Sequence, residues 1–522
     1  MTTPSDVKNA DTNEIILTNG KIVTMDKNNS IVSSIRIKDG RIAEVGNSSP
    51  EPGPVSKVID LQGRLVIPGL IDNHMHFIRT ALLPGHDMRE LETAFSIDEA
   101  LEVIRARAAK VEEGEFLSAL GGILPSQFRE NRFPTLAELD KAAPDNPVYL
   151  SVSSFGPGTA NSLAKDFLMK KGVVVGSNGE IDRGPATVNA WNALATLQTF
   201  EDTKLQTRKQ MEFAVSAGLT TVFDNGGTIK EGGWLDPVTG YDPLKELIRE
   251  EKVILRIRLL LPALDDKPDL PQLKAQLNYS LMIPDNDMVR IIGLGEWLIP
   301  HNLQKQSPLP DFYEDSVRLA AEQGRIYMQH MISLEEQKAH LDVWEKINKE
   351  IPLADLHWAI DHAYWMDRET LDRAIALGIG IGAHSTPYLA ERPTPPGVSP
   401  FRMILDSGIK AGGGSDGARI STMNPWPMIY YMVTGKSCAG DLINPGQSIT
   451  RIEALRLWTA AQGWFSKEED KLGSLEVGKL ADLAVLSDNF LDETAVPDDA
   501  VRNISSIMTI VDGRIVHNAG II

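Results

Sequence analysis

Residues 65–77 read LVIPGLIDNHMHF. An apolar run broken only by Pro68-Gly69 turns polar at Asp72, the pattern of a buried strand whose C-terminal end carries functional side chains. In a strand, residues two apart face the same side, so His74 and His76 project together. Two imidazoles so placed can hold one divalent cation, which needs further ligands from elsewhere in the chain. Outward from this stretch, from Leu65 to about Phe465, strand-like apolar runs alternate with helical ones. The runs are GLTTVFDNGG (218–227), ILRIRLLLPA (254–263), VRIIGLGEWL (289–298), GRIYMQHM (324–331), LHWAIDHA (356–363), GIGIGAHS (378–385) and GIKAGGGSD (408–416). Gly218, Gly324, Gly378 and Gly408 stand just before strands, where glycine closes a preceding helix. This alternation predicts an α/β fold with a parallel sheet, a TIM (β/α)8 barrel, with a doubly wound sheet as the alternative.

The ends of the other runs supply the missing ligands. His330, His362 and Asp416 each close one, and barrel active sites sit at the C-terminal ends of the strands. The chain has only ten histidines, so four of them at strand ends beside a carboxylate point to a metal centre rather than to core packing. The glycine run 412–414 lacks the spacing of a dinucleotide fingerprint.

The full chain has 522 residues and a formal net charge of −19. That sign repels phosphate backbones, so nucleic acid is excluded as an expected partner. Cys438 is the only cysteine, which excludes an intrachain disulfide and a cysteine-built zinc site, and fits a cytoplasmic location. The N-terminus is polar and acidic, unlike a signal peptide. Val253 to Leu264 is broken by Arg256 and Arg258, so no membrane span is expected. Both chain ends are β-rich: Asn19-Gly20, Asp39-Gly40 and Asp512-Gly513 read as hairpin signals. The resulting division is 1–64 and 466–522 as two parts of one small β-sandwich. Residues 65–465 form the barrel, with an insertion at about 80–200 over its mouth. The stretch 393–400 (PTPPGVSP) reads as a rim loop. The Met- and aromatic-rich stretch 424–433 reads as a candidate subunit contact in a homo-oligomer.

Four stretches together resemble the amidohydrolase superfamily: VIPGLIDNHMHF, GGGSDG (412–417), NPWPM (424–428) and GSLEVGKLADLAVLSDN (473–489). Within it the chain is similar to the amidohydrolase family 3 branch of deformylase-like metal-dependent hydrolases, over nearly its whole length. The resemblance implies a barrel holding one or two divalent cations, zinc first among them, with a β-sandwich built from both chain ends. It implies that His74 and His76 hold the more buried cation and that His330 and His362 hold the second. Asp416 contacts the first and acts as the proton shuttle. Asp72 is either a partner to the ligands or a strand-end acid.

Some positions depart from that pattern. Many members carry a carboxylated lysine on the fourth strand; here Arg290 stands in that strand, and arginine cannot take that role. Glu296, at the end of the same strand, is the expected bridging or metal ligand in its place. Where branch members often have a histidine, this chain has Phe155-Gly156-Pro157-Gly158. His384, at the seventh strand end, is the candidate replacement as a substrate contact. Trp297, with Trp358, Trp365 and Trp426, is a candidate to line an apolar pocket. His86, His301, His340, His357 and His517 receive no role. The expected activity is hydrolysis of a C–N bond in a small N-acyl compound. Ester, lactone or carbamate hydrolysis, and a catalytically inactive scaffold, are the alternatives.

Overall fold

The computed structural model describes residues 14–226, 238–278, 283–299, 309–389, 397–417 and 421–520. The rim-loop residues 393–396 and His301 lie outside them. At the centre stand eight parallel strands, hydrogen-bonded to one another in chain order. They are β1 (Leu70–Met75), β2 (Leu219–Asp224), β3 (Arg256–Leu260), β4 (Val289–Glu296), β5 (Ile326–Met331), β6 (Ala359–His362), β7 (Gly380–His384) and β8 (Ala411–Gly414). Just past β8, Gly417 pairs in parallel with Met75, and the sheet closes into a (β/α)8 barrel.

Local signals account for the alternation. Gly218, Gly324, Gly378 and Gly408 have φ of 92°, 63°, 69° and 75°, the left-handed conformation that stops a helix and releases the chain into a strand. Side-chain caps start the helices that follow: the Ser333 hydroxyl accepts from Glu336 N–H, and Thr199 accepts from Asp202 N–H. One face of each strand packs on the helices, as Ile257, Leu259, Ile360 and Ile381 do with Leu341, Leu371 and Ala374. The other face fills the barrel with Ile71, Phe223, Leu260, Met328 and Ala359, sealed at the base by Trp464 and Phe465.

Two further units flank the barrel. Between β1 and β2 the chain builds a five-stranded mixed sheet from His86–Asp87, Leu117–Leu120, Val148–Ser151, Gly158–Ala160 and Glu180–Ile181. It has apolar cores of its own, around Ile104, Leu117 and Leu150 on one side and Leu120, Tyr149 and Leu168 on the other. The chain ends make a sandwich of a four-stranded and a six-stranded sheet, closed over Ile15, Leu17, Ile37, Val66, Leu483 and Ile510. Leu65–Pro68, placed by its sequence on the barrel side of the boundary, pairs with Leu483–Leu486 and Lys21–Val23 in the six-stranded sheet.

Two of the three hairpin signals behave as such. Asp39 and Gly40 have φ of 49° and 77°, and Asp512 and Gly513 have φ of 53° and 71°, so each pair joins antiparallel neighbours. Asn19-Gly20 instead carries the chain from one sheet to the other, because Glu14–Thr18 pairs with Ser34–Lys38 and Lys57–Asp60 and not with Lys21–Val23.

Arg256 and Arg258 are fully buried, on the strand face that Leu260 presents to the barrel interior. Arg256 grips Asp482 at 2.7 and 3.0 Å, and Arg258 grips Glu468 at 2.7 and 3.0 Å. These bidentate pairs tie the barrel floor to the C-terminal segment. Arg290, at the opposite end of β4 from Glu296, also reaches Glu468, at 3.2 Å. It therefore lies roughly 20 Å along the strand from the ligand end and is part of the floor.

Burial alone would raise the Glu468 carboxyl; Arg258 and Arg290 outweigh it and hold it below the ordinary value of 4.5. A depressed folded-state value contributes stability that is complete above the unfolded value and is lost as pH falls through the folded one. Glu468→Gln, which leaves Arg258 without its counter-charge, is expected to cost about 3–5 kcal/mol at pH 7. Urea unfolding at a series of pH values checks this: the gap to the parent protein should narrow below pH 4.5, and a gap that stays constant excludes the ion pair as its source.

Candidate active site

The residues at the C-terminal ends of the strands meet in one buried cluster. His74 and His76, two apart on β1, bring their Nε2 atoms to 3.3 and 2.8 Å from Glu296 Oε1 at the end of β4. The other carboxylate oxygen, Oε2, lies 2.9 Å from His330 Nδ1 at the end of β5. His362 Nε2, from β6, sits 2.8 Å from that same His330 nitrogen. Asp416 Oδ1 lies 3.2 Å from His76 Nε2 and 3.8 Å from His74 Nε2. All six residues are buried. The set therefore contains every ligand expected from the sequence, including Glu296 on β4.

The backbone at two of these positions is unusual. His362 and Asp416 have φ of 72° and 55°, left-handed values that cost of order 1–3 kcal/mol each for non-glycine residues. At His362 this breaks the two-residue alternation of β6, so that Asp361 and His362 both reach the cluster. Asp361 was not foreseen: Oδ2 accepts from His74 Nδ1 at 2.9 Å, and the residue is fully buried. Asn225 was missed as well, and its amide nitrogen lies 2.9 Å from the same ring atom. Asp72 is a partner to the ligands rather than a free strand-end acid. Its Oδ1 accepts from the backbone N–H of His74 and of Ser415, both at 3.1 Å, and burial raises its carboxyl to about 6.

His384, the expected substrate contact, packs against the ligand histidines. Its ring lies 4.4 Å from the His74 ring and 4.5 Å from the His362 ring, and it is only 1% exposed. The ligand rings above and the small residues of β7 and β8 below enclose it. Trp297, expected to line the pocket, is half-buried with its ring 5.1 Å from that of His330. Trp358 and Trp426 are core residues: Trp358 packs between Tyr327 and Trp344, and Trp426 packs on Phe490. The helix Pro425–Thr434, expected at a subunit contact, buries Pro425 through Met432 inside this chain. Among the described histidines without an assigned role, His340 pairs with Tyr313 and His357 stacks on Trp464.

The inserted unit anchors the rim. Buried Glu92 accepts from Met423 N–H at 2.9 Å and Asn424 N–H at 2.8 Å, and pairs with Arg89 at 2.8 Å. The loop after Asp416 is thus fastened to a unit more than 300 residues earlier.

The donor set fits a divalent cation. Glu296 Oε1 and His74 Nε2 are buried and 3.3 Å apart, yet neither has a hydrogen-bond partner among the described residues. Among the described residues, three groups of ligand atoms lie close enough to share an ion: His74, His76 and Asp416; Glu296, His330 and His362; and His74, His362 and His384. Burial raises Glu296, but His76, His330 and His74 outweigh it and bring the carboxyl well below its ordinary value. Burial and the neighbouring histidines push His362 and His384 well below the ordinary histidine value. Glu296 is thereby kept anionic and those rings neutral, the states a metal ligand needs. His74 runs the other way: burial lowers it, and Asp361 with Glu296 overrides that and raises it well above the ordinary value. His74 must therefore release a proton when it takes a cation.

A family model of the amidohydrolase family matches residues 57–517. This chain belongs to that family, and it is a metal-dependent amidohydrolase. It is 25% identical to the N-substituted formamide deformylase of Arthrobacter pascens, over 96% of this chain and 97% of that protein. Among solved structures, an uncharacterized metal-dependent hydrolase from Pyrococcus furiosus superposes with a TM-score of 0.59 at 22% identity, covering 92% of this chain and all of that one (100%). Atrazine chlorohydrolase from Arthrobacter aurescens, complexed with zinc, superposes with a TM-score of 0.56 at 15% identity, covering 97% and 95% of the two chains. At these identities the two superpositions establish the fold. No helix among the described residues is long and apolar enough to cross a membrane.

Stripping divalent cations with a chelator is expected to lower the melting temperature, and adding zinc or manganese back to restore it. At a free cation concentration of about 100 times Kd the recovered stability is about 2.7 kcal/mol. Calorimetry on treated and reloaded protein reads this directly, and an unchanged melting curve would count against a cation bound by the folded state.

Proposed function

We propose that this enzyme hydrolyses the C–N bond of a small N-acyl compound at a centre that would take two divalent cations, with Glu296 as a residue that would hold both. The supporting observation is how the Glu296 carboxylate divides its oxygens. Oε1 faces His76 and His74 at 2.8 and 3.3 Å, and Oε2 faces His330 at 2.9 Å. In this reading His74, His76 and Asp416 hold the more buried cation, and His330 and His362 hold the second. Imidazole and carboxylate donors suit zinc, which we place first, and also iron, manganese or cobalt. Cations held there supply an acidified water, its pKa lowered from roughly 16 to about 7, and polarise a carbonyl.

The remaining chemistry belongs to the protein. Asp416 stands at the rim side of the cluster with its N–H bonded to the His74 carbonyl at 2.8 Å, so its carboxylate is held beside the ligands. It takes the proton of the attacking water and returns it to the leaving nitrogen, which would otherwise depart as a poor anion. In the same reading Trp297, its ring 5.1 Å from that of His330, offers the substrate an apolar contact. The A. pascens relative is named for N-substituted formamides, so N-acyl amines are the first compounds to test.

Plasma mass spectrometry should find about two cations per chain, and about one in Glu296→Gln. With a substrate from an N-acyl amine screen, Asp416→Asn should keep most of its cation and lose about 10²–10⁴-fold in kcat. Parallel loss of cation and turnover in Asp416→Asn would refute the shuttle. Turnover of esters or lactones in place of amides would refute the substrate class.

A further inference from the structure

Asp361 and His384 sit beneath the ligands and join the two halves of the cluster. Asp361 Oδ2 lies 2.9 Å from His74 Nδ1. His384 Nδ1 lies 3.0 Å from His362 Nδ1. The remaining atom of each, Asp361 Oδ1 and His384 Nε2, faces the other at 3.7 Å. Both are buried and have no hydrogen-bond partner among the described residues. Their space is made by missing side chains. A Cβ on Gly382 would fall 2.2 Å from Asp361 Oδ1 and 2.9 Å from His384 Nε2, and one on Gly414 would fall 2.8 Å from the His384 ring.

We propose that Asp361 and His384 form one shared support that sets the ring orientation and tautomer of His74 and His362, one ligand in each half-site. Resting on the two-cation reading above, the inference makes both residues positioning residues. His74 donates its Nδ1–H to Asp361 Oδ2, which leaves the Nε2 lone pair aimed at the side of Glu296 and Asp416. Of two facing imidazole nitrogens, one must donate and the other accept. His362 has to present a lone pair at Nε2, the atom 2.8 Å from His330 Nδ1, so its proton sits on Nδ1 and is donated to His384. His384 then carries its own proton on Nε2, directed at Asp361 Oδ1. At 3.7 Å this last contact is longer than a hydrogen bond and acts through charge and dipole. Carboxylates and other polar groups that hold the second nitrogen of a ligating histidine change metal affinity by about 10–100-fold when removed. Here one carboxylate serves two ligands, directly through one oxygen and through a histidine with the other.

The test is zinc binding alone, by calorimetric titration of chelator-treated full-length protein together with zinc content by plasma mass spectrometry. His384→Leu keeps bulk and removes the acceptor; His384→Asn restores an acceptor near the position of Nδ1. The expected result is two zinc ions for the parent protein and one tight zinc for His384→Leu, with the second weakened about 10–100-fold. His384→Asn should recover most of the second affinity, and Asp361→Ala should weaken both. If His384→Leu does not fold by circular dichroism, His384→Gln against His384→Asn decides, because glutamine places its acceptor near Nε2 and should not rescue. Parent-like zinc binding in His384→Leu or His384→Gln overturns the support while leaving the two-cation reading intact, as does equal loss in the leucine and asparagine variants. One zinc or none in the parent protein overturns that reading and this inference with it.

Discussion

The Asp416 N–H donates to the His74 carbonyl at 2.8 Å, and the His76 N–H donates to the Gly417 carbonyl at 3.0 Å. These two bonds join the end of the last barrel strand to the first, across more than 300 residues of chain. An open sheet would leave Asp416 at one edge and the β1 histidines at the other. Closure makes them neighbours, and it also confines the ends of β4, β5, β6 and β7 to one small ring. The left-handed backbone at His362 and Asp416 persists because that ring over-determines it.

The two ends of the barrel treat buried charge in opposite ways. At the floor, Arg256 and Arg258 each face a carboxylate in bidentate geometry, so charge is matched and the C-terminal segment is fastened down. At the top, Glu296, Asp361 and Asp416 share a few ångströms with five histidine rings, and no lysine or arginine pairs with Glu296 among the described residues. Buried carboxylates that are not matched by a cation or by hydrogen bonds are costly. A site assembled from acceptors therefore makes physical sense as a site for a cation, which agrees with the metal-dependent family to which the chain belongs.

Much of the ligand set is legible in the sequence because it follows from strand geometry. A His-x-His pair on one strand face, and single histidines or acids closing apolar runs, need only the two-residue period and the knowledge that barrel sites gather at strand ends. Asp361 is not legible that way. It neighbours His362 and by alternation should point to the opposite side; only the φ of 72° at His362 brings both inward. Aromatic residues were equally opaque. Trp297 and Trp358 both adjoin proposed ligand strands, yet one flanks His330 and the other lies in the wall behind β5. The stretch 424–433 looks like an apolar surface in sequence and is an interior helix in the fold.

By itself, then, the sequence determined the order of strands and helices, the glycine stops, two of the three tight hairpins and the identities of the residues that end the barrel strands. These depend on local backbone preference and on side-chain period, which act over a few residues. Tertiary structure alone decided that Arg290 joins the barrel floor through Glu468, that Asp361 reaches His74, and that His384 lies against the His74 and His362 rings. Those outcomes depend on barrel closure and on the space left by Gly382 and Gly414, and such packing between distant segments leaves no periodic trace in the chain.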